Sequence, residues 1–135
     1  ELYFDRGTEE RITRLWDTYR EQNVTSLLPD LGFRPHISLA VFRDVEPALL
    51  TDVLVDIARN TLPLEVGLAA SFPGAEGVLF LVPTVSKELI ELHEYFHERI
   101  SKLGLKANPY YLPGRWVPHC TIASDLSSSL DEGSV

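Results

Sequence analysis

The 135-residue chain predicts an α+β fold, and three observations carry that expectation. Helix-period and strand-period segments follow one another as strand–helix–strand–helix, then strand–strand–helix–strand. The length suits one compact domain with a sizeable core, at 44% apolar and 24% charged residues. One segment also occurs twice, Arg34-Pro-His-Ile-Ser-Leu-Ala40 and Val117-Pro-His-Cys-Thr-Ile-Ala123, each time in a predicted strand that follows a helix and a loop. Such a recurrence suits a gene-duplicated domain, with the two histidine strands meeting at a pseudo-twofold cleft. The expected organisation is a single domain over 1–125 and a Ser-rich, acidic, poorly ordered tail over 126–135.

Element by element, Leu2–Phe4 reads as a short strand. Thr8 is the expected cap of an amphipathic helix running to about Gln22, with Ile12, Leu15, Trp16 and Tyr19 turned inward. Gly32 breaks the chain before a strand expected over 34–42. A second helix is expected over 46–60, its buried stripe formed by Leu49, Leu50, Val53, Leu54 and Ile57. Strands at 64–72 and 78–83 flank Pro73-Gly74…Gly77, a hairpin signal. Ser86 caps a third helix that Gly104 closes, and a Pro/Gly/aromatic loop over 108–116 leads to the second copy of the repeat.

The net charge of −8 excludes a broad footprint on duplex DNA, which requires many neutralised phosphates. It leaves room for a small phosphate ligand or an RNA end in a locally basic cleft. No apolar run is long enough for a membrane span, and ELYFD is not followed by a signal-like stretch. A single cysteine, Cys120, forbids an internal disulfide and fits a reducing cytoplasm. A soluble cytoplasmic monomer is expected.

The repeats carry the chemistry. Strand side chains alternate, so His36 and Ser38 share one face while Ile37 and Leu39 take the other. The same parity pairs His119 with Thr121, and sends Cys120 and Ile122 to the core. Cys120 therefore points away from His119, which argues against a cysteine nucleophile. Two imidazoles, each with an unperturbed pKa near ~6.5, suit a reaction needing one general base and one general acid near neutrality. Hydroxyls two residues on can donate to charge developing on phosphoryl oxygens. No Gly-rich phosphate loop and no carboxylate cluster for a magnesium pair is evident, so metal-free phosphodiester chemistry without a cofactor is the expectation. Arg34 has the parity to share the face of His36, or it is simply solvated. Tyr110, Tyr111 and Trp116 either stack on a base or pack in the core.

The paired PHIS and PHCT segments resemble those of the two-histidine phosphoesterase superfamily. The chain is similar to the bacterial 2′-5′ RNA ligase/cyclic phosphodiesterase group. The YFD…E…I…LW opening, the GVLFLVP strand and RWVPHCTIA extend the likeness over most of 1–124. The resemblance implies a bilobed α+β fold with antiparallel sheets flanked by helices and a central cleft. It also implies hydrolysis of 2′,3′-cyclic phosphates on nucleotides or RNA ends, with 2′-5′ ligation in some members. Carried over by motif position, His36 and His119 exchange protons with water and the leaving ribose oxygen, while Ser38 and Thr121 steady the phosphoryl oxygens. Many members of the ligase branch have an Arg shortly after the second motif, where this chain has Ser124. Arg115 and Arg34 are then the candidates for positive charge, with Tyr111 and Trp116 as further substrate-binding candidates. A non-catalytic nucleotide- or RNA-end-binding module remains the alternative.

A second motif competes. His93-Glu94-Tyr-Phe-His97 matches the H-E-x-x-H zinc-hydrolase signature on a predicted helix. His93 falls within the stripe of Leu89, Leu92, Phe96 and Ile100, His97 at its margin, and Glu94 further round. No Asp or Glu lies between Glu98 and Asp125 to complete a zinc site. The bland alternative is an amphipathic helix that tolerates two histidines, and no metal is expected.

Overall fold

A computed structural model describes residues 1–25, 27–60, 62–71 and 78–124. Its elements are β1 (Leu2–Tyr3), α1 (Arg6–Glu21), α2 (Leu27–Asp30), β2 (His36–Ile37), α3 (Thr51–Ala58), β3 (Val66–Ser71), β4 (Leu79–Pro83), α4 (Lys87–Lys102) and β5 (Cys120–Ala123). Two short 3-10 turns, Pro47–Leu50 and Pro109–Tyr111, complete the order. The architecture is α+β, with two small antiparallel sheets. One joins β1 to β2 and the other runs β3-β4-β5.

The chain divides into two units, each traced by more than one segment. The first holds β1, α1, α2 and β2 together with the β3-β4-β5 sheet. Here α1 buries Ile12 and Trp16 and packs on β5, whose Cys120, Ile122 and Ala123 are buried with Phe80 of β4. Register pairs Phe80 with Thr121 and Leu81 with Cys120, across an irregularity between Leu79 and Phe80. The second unit spans Ser38–Glu65 and Thr84–Pro118. There α3 packs on α4, burying Val53 and Ile57 with Leu89, Leu92, Phe96 and Ile100.

Most helices begin and end where their capping chemistry dictates. Ser86 has extended backbone geometry and accepts from the Leu89 N–H at 3.1 Å, opening α4 as expected. Gly104 just beyond it has φ of 72°, the left-handed conformation that ends helices. The opening of α1 departs from expectation. Asp5, not Thr8, is its cap, because the Asp5 carboxylate takes both the Thr8 N–H at 3.0 Å and the Thr8 hydroxyl at 2.7 Å. The helix expected over 46–60 is also shorter. Pro47 leads a 3-10 turn before α3, which leaves Leu49 and Leu54 exposed and narrows the buried stripe to Val53 and Ile57. The one-turn α2 had no expectation attached to it. The hairpin turn at 73–77 and the tail at 126–135 lie outside the described residues.

The strand expected over 34–42 shrinks to His36–Ile37, and the reason is visible in its hydrogen bonds. Beyond Ile37 the carbonyls find partners that are not a neighbouring strand. Ser38 accepts from the Trp116 indole N–H at 2.9 Å, and Val41 accepts from the Asn108 backbone N–H at 2.7 Å. The Leu39 carbonyl lies 3.2 Å from His93 Nε2 and 3.0 Å from His97 Nε2. The backbone bends at Leu39, and its carbonyls there are satisfied by side chains and by the Asn108 backbone in place of a ladder.

Candidate functional site

The two repeats have the same burial rhythm. Pro35, Ile37 and Leu39 are buried while His36 and Ser38 are half-exposed, and Pro118, Cys120 and Ile122 are buried while His119 and Thr121 are half-exposed. The apolar side is closed to solvent, with Ile37 at 0% and Cys120 at 1% exposure. The expected parity of both motifs therefore holds, including Cys120 on the face opposite His119. Burial also pushes the Cys120 thiol up to about 11, although the His36 backbone N–H donates to it. A thiol in that state is not a nucleophile at neutral pH.

His36 and His119 lie in the same unit, His36 in β2 and His119 immediately before β5, and these two strands run close to one another. That same donation from the His36 N–H to the Cys120 thiol places the backbone of one motif against the other at a single residue. Ser38 and Thr121 divide between the units, Thr121 with the histidines and Ser38 as the first residue of the second unit.

The His36 ring is held on several sides. Nδ1 is 2.6 Å from the Arg34 carbonyl, an acceptor only, so Nδ1 carries the hydrogen and Nε2 is the nitrogen that gains or loses a proton. Nε2 faces the Glu1 carboxylate at 3.5 Å. Burial pushes the Glu1 carboxyl up, yet it sits below its ordinary range because the Tyr3 hydroxyl and His36 favour the anion. The rings of Tyr3 and Phe33 flank the imidazole with centroids at 6.5 and 6.0 Å. His119 lies against the Phe80 ring at 5.2 Å. No sequence pattern marked Glu1, Tyr3, Phe33 or Phe80 as neighbours of the histidines, because these contacts cross between elements.

The expected substrate-binding residues are placed as follows. Arg34 makes two bonds to the Glu9 carboxylate, at 2.9 and 2.6 Å, and stacks over Tyr3 at 4.3 Å. This pairing holds Glu9 below and Arg34 above their ordinary ranges. Arg115 is exposed, its guanidinium 5.9 Å from the Tyr110 ring centre. Trp116 is half-buried, stacked on His93 at 3.9 Å with an interplanar angle of 3°. Tyr111 is half-buried, and its carbonyl lies 2.9 Å from His93 Nε2. Ser124, standing where an Arg follows the motif in many ligases, has a buried hydroxyl with no hydrogen-bond partner among the described residues.

The H-E-x-x-H helix has its own use for its histidines. His93 is 1% exposed and His97 7%, deeper than a merely tolerated pair. Both Nε2 atoms face carbonyl oxygens, so both carry hydrogen and donate. Burial, with His97 adjacent, pushes His93 down to about 4, so it is neutral near pH 7. With Nε2 donating, only the Nδ1 lone pair of the neutral ring is left to ligate. Among the described residues no three His, Cys, Asp or Glu side chains are grouped as metal ligands.

Comparison with known proteins adds one match. The family model described as the 2′-5′ RNA ligase superfamily covers residues 5–130, nearly the whole chain and both repeats. No match was found among curated proteins or among solved structures. With the Pro-His-x-Ser/Thr motif present twice and the match spanning both copies, the chain belongs to the 2′-5′ RNA ligase superfamily, the two-histidine phosphoesterases.

Proposed function

We propose that the chain is a metal-independent phosphodiesterase that opens 2′,3′-cyclic phosphates on nucleotides or RNA ends. His36 and His119 are its proton-transfer pair, and Ser38 and Thr121 its phosphate-binding hydroxyls. Water oxygen forms a bond to phosphorus, and the bond from phosphorus to one ribose oxygen breaks. One imidazole takes the proton from the attacking water and the other gives a proton to the departing oxygen. Hydroxyls two residues beyond each histidine donate to the non-bridging oxygens as charge builds on them. Attack by a ribose hydroxyl in place of water gives 2′-5′ ligation of RNA ends by the same atoms.

The observation that carries this reading is the shared burial rhythm of the two motifs, whose histidines belong to one unit, His36 in β2 and His119 directly before the nearby β5. The fixed His36 tautomer supports it, since Nε2 is the nitrogen left to exchange protons. The duplication is supported by the recurrence of the motif at a strand that follows a helix in each half of the chain, β2 after α1 and α2, and β5 after α4. A cytoplasmic location and a monomeric state complete the reading.

The test is turnover of a 2′,3′-cyclic nucleotide by wild type, His36→Ala and His119→Ala, each in excess chelator. Wild-type turnover indifferent to chelator, with a loss of at least a hundredfold in both variants, is expected. Undiminished turnover in both variants defeats the proposal. Tight ligand capture without product by the wild type identifies a binding module instead.

A further inference from the structure

The structure assigns to His93, His97 and Trp116 a role outside proton transfer: they are positioning residues that hold the backbone at Ser38 and Leu39. This inference rests on the proposed phosphate-binding role of the Ser38 hydroxyl.

Ser38 and Leu39 follow His36 directly but lie beyond the last ladder pair of β2. Their carbonyls are held by side chains from α4 and the loop after it. Trp116 Nε1–H donates to Ser38 at 2.9 Å. His97 Nε2–H donates to Leu39 at 3.0 Å, and His93 Nε2–H is shared between Leu39 at 3.2 Å and Tyr111 at 2.9 Å. His93 also stacks flat on the Trp116 indole, so each donor fixes the orientation of the other. Three ring N–H groups thus replace a strand edge along two consecutive residues. Their planarity leaves few rotamers to misplace the segment. Leu39 is 2% exposed, so a carbonyl released from this clamp would find no water in compensation. The hydroxyl of Ser38 hangs from this segment. Its distance to a phosphoryl oxygen is set by the clamp, and a shift of about 1 Å is enough to cost catalysis heavily.

Hydrolysis of 2′,3′-cyclic AMP by five proteins tests this: wild type, Ser38→Ala, His93→Phe, His93→Gln and the double variant Ser38→Ala/His93→Phe. Phe keeps the stack on Trp116 and removes the donor, whereas Gln returns an N–H near the position of Nε2. A roughly tenfold fall in kcat/KM is expected for His93→Phe, with recovery to within about threefold for His93→Gln. In the Ser38→Ala background, His93→Phe should cost less than about twofold more, because the hydroxyl it positions is gone. Trp116→Phe, which keeps the ring and removes only the indole N–H, should behave alike and serves if His93→Phe does not fold. Losses that multiply in the double variant, or no recovery with Gln, overturn the clamp and leave the proposed activity standing. Full activity in Ser38→Ala with none in His36→Ala removes the role of Ser38 and the clamp with it. A wild type without turnover removes the proposed function itself.

Discussion

Buried neutral histidine makes the stability of this chain depend on pH, and His93 gives the effect a size. Folded, it is pushed down to about 4 by burial with His97 beside it, whereas in the unfolded chain it titrates near 6.5. The unfolded state therefore binds more protons between those values, and stability falls as pH drops through that window. The whole effect is about 3 kcal/mol, flat below pH 4 where both states are protonated and flat above pH 7 where neither is. Between pH 7.5 and 5.0 the loss is about 2 kcal/mol. That interval separates the histidine from the carboxylates of Asp5, Glu9, Asp56 and Glu98, which sit below their ordinary range in the fold and lose their contribution only in more acidic solution.

The assay is urea unfolding at pH 7.5 and 5.0 of wild type and of His93→Gln, which keeps a donor and cannot be protonated. At about 1–3 kcal/mol per molar urea, the wild-type midpoint should move by roughly 1 M more than that of the variant. Both proteins retain the other three histidines, so the difference reports His93 together with its influence on the adjacent His97. Equal midpoint shifts would mean that His93 carries the same proton in both states, and the clamp's neutral donor would be refuted.

Three further outcomes follow from single residues. Cys120 should react with a thiol reagent only as fast as the chain unfolds, since burial and a pKa pushed up to about 11 both withhold the thiolate; rapid labelling of the native protein refutes its placement. Ile37→Ala, at a fully buried side chain between His36 and Ser38, should cost about 2–5 kcal/mol in chemical denaturation, and a cost below about 1 kcal/mol refutes its place in the core. Ser86→Ala should lower stability by about 1 kcal/mol and Ser86→Gly by less, because the extended cap geometry survives in Gly while the side-chain acceptor does not; a neutral Ser86→Ala contradicts the cap.

The strongly periodic parts of the fold were legible in the sequence. The helices α1 and α4 follow their apolar stripes, and the parity of both repeats follows from two-residue alternation, because each depends on nearest neighbours along the chain. What sequence did not reveal involves partners far apart. Nothing near residue 39 announces that its carbonyl is held by rings 54 and 58 positions on. The strand at 34–42 reads as longer than β2 because burial alternates through Leu39, past the last ladder pair, where side chains hold the carbonyls. Arg34 was equally open. It alternates with the buried Pro35 as His36 does, but Glu9 on α1 takes the Nε–Nη2 edge of its guanidinium. Local competition also decided the cap of α1, where Asp5 offers two oxygens to the one residue expected to serve as the cap.

The four histidines show how one side chain serves two ends in a small protein. In α4 the rings are nearly sealed from water and meet carbonyl oxygens, so their worth lies in an N–H held on a carbonyl. In the repeats the rings are half-exposed, and His36 donates through Nδ1 while its Nε2 faces the Glu1 carboxylate. Proton exchange requires access to water or substrate; holding a backbone carbonyl in a dry interior requires its absence. The H-E-x-x-H pattern and the repeats are thus distinguished by burial, not by residue type. The same burial accounts for α4 carrying imidazoles where a leucine would fill the space: no apolar side chain can satisfy the carbonyl of Leu39, and without that satisfaction the segment bearing Ser38 has no fixed course.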